Sequence, residues 1–113
     1  MRRQLERVLS SAEFVRSERL SRFLRLVVEL HLDGKDEEIK ESLIGVEVFG
    51  RRPDYDPKRD SIVRTEASRL RARLFEYYAG GGKADPVIID LPKGRYMPVF
   101  RQPEAPPNTT SAP

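Results

Sequence analysis

The sequence predicts a mainly helical domain closed by a small β-hairpin: a three-helix core, an extra N-terminal helix and a C-terminal wing. Two patterns carry this. Within residues 60–78, DSIVRTEASRLRARLFEYY, Val63, Ala67, Leu70 and Leu74 recur at i, i+4, i+7 and i+11. That is one apolar stripe on a helix turning about 100° per residue. Further on, VIIDL (87–91) and RYMPVF (95–100) are short apolar runs separated by Pro92-Lys93-Gly94, which signals a hairpin.

Taken in order, residues 2–12 carry Leu5, Val8, Leu9 and Ala12, a short amphipathic helix. Ser17 reads as the N-cap of a helix over roughly 18–32, with Leu20, Phe23, Leu24, Val27 and Leu30 on its apolar face and Gly34 just past its end. This is the best core helix in the chain. After a polar turn at 35–38, Ile39 is expected in a short strand, before a helix over 41–48 anchored by Leu43, Ile44 and Val48 and ended by Gly50. The prolines in GRRPDYDPKR (50–59) make that stretch a loop, with a turn at Asp56-Pro57. Asp60 or Ser61 caps the next helix, which runs to about Tyr78, and GGG at 80–82 reads as a flexible hinge. Pro98 places the second hairpin strand at an edge or marks its end. The domain therefore spans 1–101. The remainder, QPEAPPNTTSAP (102–113), has no apolar period and reads as a disordered tail or linker.

Charge is concentrated on one element. Residues 61–74 hold four Arg against one Glu, a net +3, which is the formal charge of the whole chain. Residues 1–60 balance at 13 against 13, and 75–113 at four against four. A helix apolar on one side and rich in arginine elsewhere is built to dock on a core and face a polyanion. The absence of cysteine excludes disulfides and thiolate metal sites. No signal peptide or membrane-length apolar run is visible, so a cytoplasmic chain is the default. His31 has no second His or Cys to join it as a metal ligand, and no nucleophile–base pair is apparent. No metal, cofactor or enzymatic activity is expected.

Three helices followed by a two-stranded wing is the winged helix-turn-helix plan. IGVEVFG (44–50), RTEASRLRARL (64–74) and VIIDLPKGRYMPVF (87–100) resemble the OmpR/PhoB-type winged-helix DNA-binding domain. More loosely, the chain is similar to the N-terminal domain of CadC-type one-component regulators. By position, Phe49-Gly50 takes the family's Trp-Gly place, the stripe takes the buried face of the reading helix, and Tyr96 takes the wing tyrosine. The N-terminal helix stands where the family has a small antiparallel sheet. Ala67 is smaller than the usual Ile, the wing turn is a residue shorter, and the loop at 50–59 is longer and more acidic.

The resemblance implies a sequence-specific double-stranded DNA-binding domain of a bacterial-type transcriptional regulator, binding repeated half-sites as a head-to-tail pair. On the helical wheel, Thr65, Ser68 and Ala72 lie opposite the stripe with Ser61 beside them. Arg64 and Arg71 flank one side, Arg69 and Arg73 the other. Small outward residues let a helix sink into the major groove, and arginine bonds guanine in bidentate fashion. Arg64 and Arg69 are therefore expected on bases, with Thr65 and Ser68 near base edges or thymine methyls. Arg71 and Arg73 are expected on phosphates, and Lys93 and Arg95 at the wing tip or minor-groove rim. In the family the loop after the positioning helix touches RNA polymerase, which would make Arg51, Arg52, Asp54 and Tyr55 a partner patch. The simpler expectation is an ordinary surface loop with Tyr55 packed on the body. Two alternatives stand beside DNA binding. The arginine face can dock an acidic protein, or simply be a solvated, salt-bridged surface. The chain is also compatible with being one piece of a longer sensor, reaching a membrane only through a segment absent from this chain.

Overall fold

The apolar periods close into five α-helices and a two-stranded sheet in a computed structural model that describes residues 2–103. The elements are α1 (Arg2–Leu9), α2 (Ala12–Val15), α3 (Glu18–Leu32), α4 (Glu41–Phe49), α5 (Ile62–Ala79), β1 (Ile88–Asp90) and β2 (Val99–Arg101). From position 104 on, the tail lies outside the described residues.

The helix expected over 2–12 is two helices. Ser11 Oγ donates to Val8 O at 2.6 Å, so a side chain takes up a helical carbonyl where the chain turns between α1 and α2. The turn buries Phe14 completely, a core residue that the periodicity of 2–12 does not include. α3 is the centre of the core: Leu20, Phe23, Leu24, Val27 and Val28 are all buried. Each such side chain contributes about 1.5–3 kcal/mol. Gly34 ends the helix as expected. Its φ is +74°, and the N–H groups of Gly34 and Lys35 donate to His31 O and Leu30 O, closing a Schellman motif. Ser17 sits at the N-cap but makes no side-chain cap.

Ile39 forms no strand. It follows a 3-10 turn at Asp36–Glu38 and leads directly into α4. In α4 the buried residues are Ile44, Gly45, Val48 and Phe49, and Leu43 is only half-buried. Gly45 has a specific cause: a Cβ there would run into the ring and hydroxyl of Tyr55. Tyr55 lies against α4 and donates to Glu41 O at 2.9 Å, so the loop expected over 50–59 is tied to the body. Within it, Asp56 caps its own turn by accepting from Lys58 N at 2.9 Å, and Asp60 accepts from Ile62 N at 3.1 Å at the start of α5.

α5 buries Val63, Ala67, Leu70 and Leu74 as the stripe requires, and adds Glu66 and Tyr77. At its C-terminal end a buried polar seam joins distant parts of the chain. Asp85 accepts from Tyr77 Oη and from Gln4 Nε2, the latter at 2.8 Å, with Arg7 Nη2 at 3.6 Å. Burial pushes the Asp85 carboxyl up, but these donors outweigh it and leave its pKa below the ordinary value. The glycines at 80–82 are not a free hinge. Gly82 is buried, its N–H donates to Tyr77 O at 2.8 Å, and a Cβ there would meet the Tyr77 ring.

The hairpin is antiparallel, with Ile88 opposite Arg101, Ile89 opposite Phe100 and Asp90 opposite Val99. It is shorter than the sequence suggests. β2 begins only after the buried Pro98, where a residue lacking an N–H can no longer interrupt the ladder. Residues 91–98 form a long loop between the strands, turning at Gly94 with φ +86°.

Candidate nucleic-acid interface

α5 divides lengthwise into an inward stripe, an outward strip and two flanks. Thr65, Ser68 and Ala72 are exposed on the outward strip, and Ser61 is exposed at the helix entrance without a side-chain cap. The sequence-derived wheel thus matches the observed helix in which residues face outward and inward. The exception is Glu66, the one acid of residues 61–74. It is buried, and Arg69 Nη1 stands 3.4 Å from its Oε2.

The four arginines are not equivalent. Arg64 leans toward α4, with Nη1 3.3 Å from Glu41 Oε2. Glu41 also accepts from Tyr96 Oη at 3.3 Å, so one carboxylate joins α4, α5 and the loop between the strands. Burial, then the Glu41 charge and hydrogen bond, raise the Tyr96 pKa above the ordinary phenol value. Arg71, expected on a phosphate, instead turns into that loop. Its Nε donates to Leu91 O at 2.8 Å, and its Nη2 reaches Pro92 O at 3.3 Å and Arg95 O at 3.4 Å. A guanidinium with three carbonyl acceptors is a structural clamp with few donors left over.

On the other flank, Arg73 Nη1 donates to Glu13 O at 3.2 Å, which ties α5 to α2. Arg69 is 69 % exposed and, among the described residues, has only Glu66 as partner. Lys93 and Arg95 are exposed at the tip of the loop, where Arg71 engages the Arg95 carbonyl.

The loop named as a partner patch separates into two pairs. Arg51 Nε bonds Asp60 Oδ2 at 2.6 Å and its Nη1 donates to Phe49 O, while Tyr55 is packed as described. These two hold the loop in place. Arg52 and Asp54 point into solvent.

Two further features were not read from the sequence. Phe75 is 77 % exposed on α5, beside an open cleft of about 350 Å³ lined by Leu74, Tyr78, Ile88 and Arg101. The other, an arginine-lined recess between α5 and the start of α3, is taken up below. Phe75 was legible as lying off the stripe. The recess was not, because it forms only when residues 16–20 and 66–73 come together. Among the described residues no helix is long and apolar enough to cross a membrane. No protein-family model, curated protein or solved structure matches the chain.

Proposed function

We propose that the chain is a winged helix-turn-helix module that binds double-stranded DNA sequence-specifically, as the DNA-binding part of a transcriptional regulator of the OmpR/PhoB type. The observation that carries this reading is the outward strip of α5. Its small residues Thr65, Ser68 and Ala72 leave the helix backbone accessible, and arginines stand on both sides. In the reading, α5 enters the major groove and α4 supports it. Arg64 and Arg69 contact bases, because each guanidinium is half-exposed or more and makes a single ion pair among the described residues, Arg64 with Glu41 and Arg69 with the buried Glu66. A half-exposed pair such as Arg64–Glu41 is worth about 0–1 kcal/mol, less than the roughly 1–3 kcal/mol of a good bidentate base contact. Arg71 serves the fold, holding the loop so that Lys93 and Arg95 reach the duplex in a fixed pose. Arg73 is left with donors for a phosphate.

The test is fluorescence anisotropy of the chain against a randomised duplex pool and a single-stranded control, titrated with salt. Duplex preference, enrichable sequences and a steep salt slope, about −0.9 per phosphate neutralised, are expected. No binding at low salt overturns the reading.

A second reading, a module docking an acidic protein, is favoured by Phe75, an exposed aromatic ring of the kind protein interfaces bury. It gives a shallower salt slope and no sequence preference. Of the four residues named in the 50–59 loop, Arg52 and Asp54 are the exposed pair that would meet RNA polymerase. Self-association on repeated half-sites belongs to the same proposal.

A further inference from the structure

The chain turns sharply between α2 and α3, and this corner lies against the Arg69–Arg73 flank of α5. Together they enclose an open recess of about 460 Å³, lined by Arg16, Ser17, Arg19, Glu66, Arg69 and Arg73 among others. Three observations bear on what it takes.

The first is the end of α3. Ser17 provides no side-chain cap, so the N–H groups of Glu18, Arg19 and Leu20 have no side-chain acceptor among the described residues. These are the orphan donors of a 15-residue helix, at the positive end of its dipole. The second is charge. Four arginines line the recess against two glutamates, Glu18 and Glu66, and Arg16 and Arg19 form no ion pair among the described residues. The third is Glu66 itself. It is 8 % exposed, and its Oε2 has no hydrogen-bond partner; Arg69 is near enough to pair in charge but is not aligned as a hydrogen bond. A buried carboxylate oxygen without a hydrogen-bond donor, at the floor of a recess rimmed by exposed arginines, is an incomplete network.

We propose that this recess seats a phosphate of the DNA backbone, on the flank of α5 opposite the loop that carries Lys93 and Arg95. The inference rests on the DNA-binding reading above and adds the α2–α3 corner to its interface. The phosphate lies at the rim, on the α3 N–H groups and the guanidinium groups of Arg16, Arg19 and Arg73. Ordering of Arg16 or Arg19 around it brings an N–H donor to the open oxygen of Glu66. The carboxylate at the floor thus orients the arginines and keeps the anion shallow, as suits a phosphodiester that stays part of a strand. With a phosphate held on each side, the outward strip of α5 is centred in the groove.

The experiment measures the salt dependence of duplex binding by the double variant Arg16→Gln, Arg19→Gln. It uses both a duplex selected by the parent chain and an unrelated one. Both residues are exposed, so the fold is retained, which circular dichroism checks. The charge-matched control is Arg3→Gln, Lys35→Gln. Arg3 lies on α1, and Lys35 follows the far end of α3, about 22 Å away at 1.5 Å per residue. The expected result is about a tenfold loss of affinity on both duplexes and a log–log slope shallower by about 1, with a smaller loss in the control. An unchanged slope, a loss no larger than the control's, or a loss confined to the selected duplex overturns the proposal. If Arg64→Ala weakens binding while the corner variant does not, the recess falls and the DNA reading stands. If the parent chain binds no duplex, both fall.

Discussion

Each flank of α5 carries two arginines, and the two pairs are used in different ways. On the hairpin side, Arg64 is drawn to Glu41 and Arg71 spends its donors on three carbonyls of the 91–98 loop. On the corner side, Arg69 and Arg73 make one contact each, to a carboxylate and to a single carbonyl. The residue type is the same, the helix is the same, and each pair brackets the same outward strip. What differs is the supply of acceptors. The hairpin loop cannot pair its own carbonyls at 91, 92 and 95 in a ladder, so a half-buried cation satisfies them. The corner is made of helix ends; it presents the N–H donors of α3 and gives α5 one carbonyl, that of Glu13, so its arginines are less committed. An arginine's task is thus set by the backbone groups facing it, and net charge counted along the helix overstates what is available to a ligand.

The largest expected effect breaks that contrast at its strongest point. Arg71→Ala removes three hydrogen bonds from a charged, half-buried donor and is expected to lower stability by about 2–3 kcal/mol, read as a shift in the urea midpoint. Arg73→Ala loses one exposed bond and is expected to cost less than about 1 kcal/mol. Loosening is local as well: trypsin cleavage after Lys93 and Arg95 should speed up in the Arg71 variant and not in the Arg73 variant. Equal losses in both variants would mean that the flanks do not differ. Next in size is the effect on recognition. Arg69→Ala is expected to weaken binding to a selected duplex by about 1–3 kcal/mol, with a much smaller change on an unrelated one. Arg71→Ala, at temperatures where it stays folded, should reduce both affinities together by releasing the tip charges. A uniform loss for Arg69→Ala would make it a phosphate contact.

How far the sequence was legible follows the same division between period and partner. The buried stripe of α5, the apolar face of α3 and the glycine stops at 34 and 50 are local patterns, and each is found where its period or turn chemistry puts it. The outward position of Thr65, Ser68 and Ala72 follows as the complement of the stripe. Features that need a distant partner were not legible. Asp85 is buried because Gln4, 81 positions away, and Tyr77 surround it. Gly82 reads as part of a hinge in the sequence and Gly45 gives no signal there, yet each is the empty space that a tyrosine ring requires. Ile39 has strand-like character but no neighbouring strand to pair with, and it serves instead as the C-cap of the 3-10 turn. Arg71 and Arg73 differ by two positions on one helix, and only the loop twenty residues on separates a three-carbonyl clamp from a cation with a single bond to Glu13 O.

The smallest effect tests the hairpin flank by pH alone. Glu41 faces Tyr96 and Arg64, and its carbonyl accepts from Tyr55, so two phenols stand beside one carboxylate. Burial raises the pKa of each, and the Glu41 charge raises it further, with Asp60 adding to the effect at Tyr55 and Arg64 opposing it at both. A phenol whose folded pKa lies above its unfolded value of about 10 gives stability that is complete below that pH and lost as pH rises through the folded value. The residues lining the corner recess include no tyrosine. Raising the pH from about 9 to about 11 should therefore loosen the hairpin flank first, seen as faster amide exchange in residues 91–98 than in 16–20 relative to their intrinsic rates. Tyr96→Phe removes one titrating group and should reduce that loosening by an amount worth less than about 1 kcal/mol, since the Tyr96–Glu41 bond is long and half-exposed. If the variant loosens as much as the parent, Tyr96 does not hold the loop, and Arg71 alone fixes its pose.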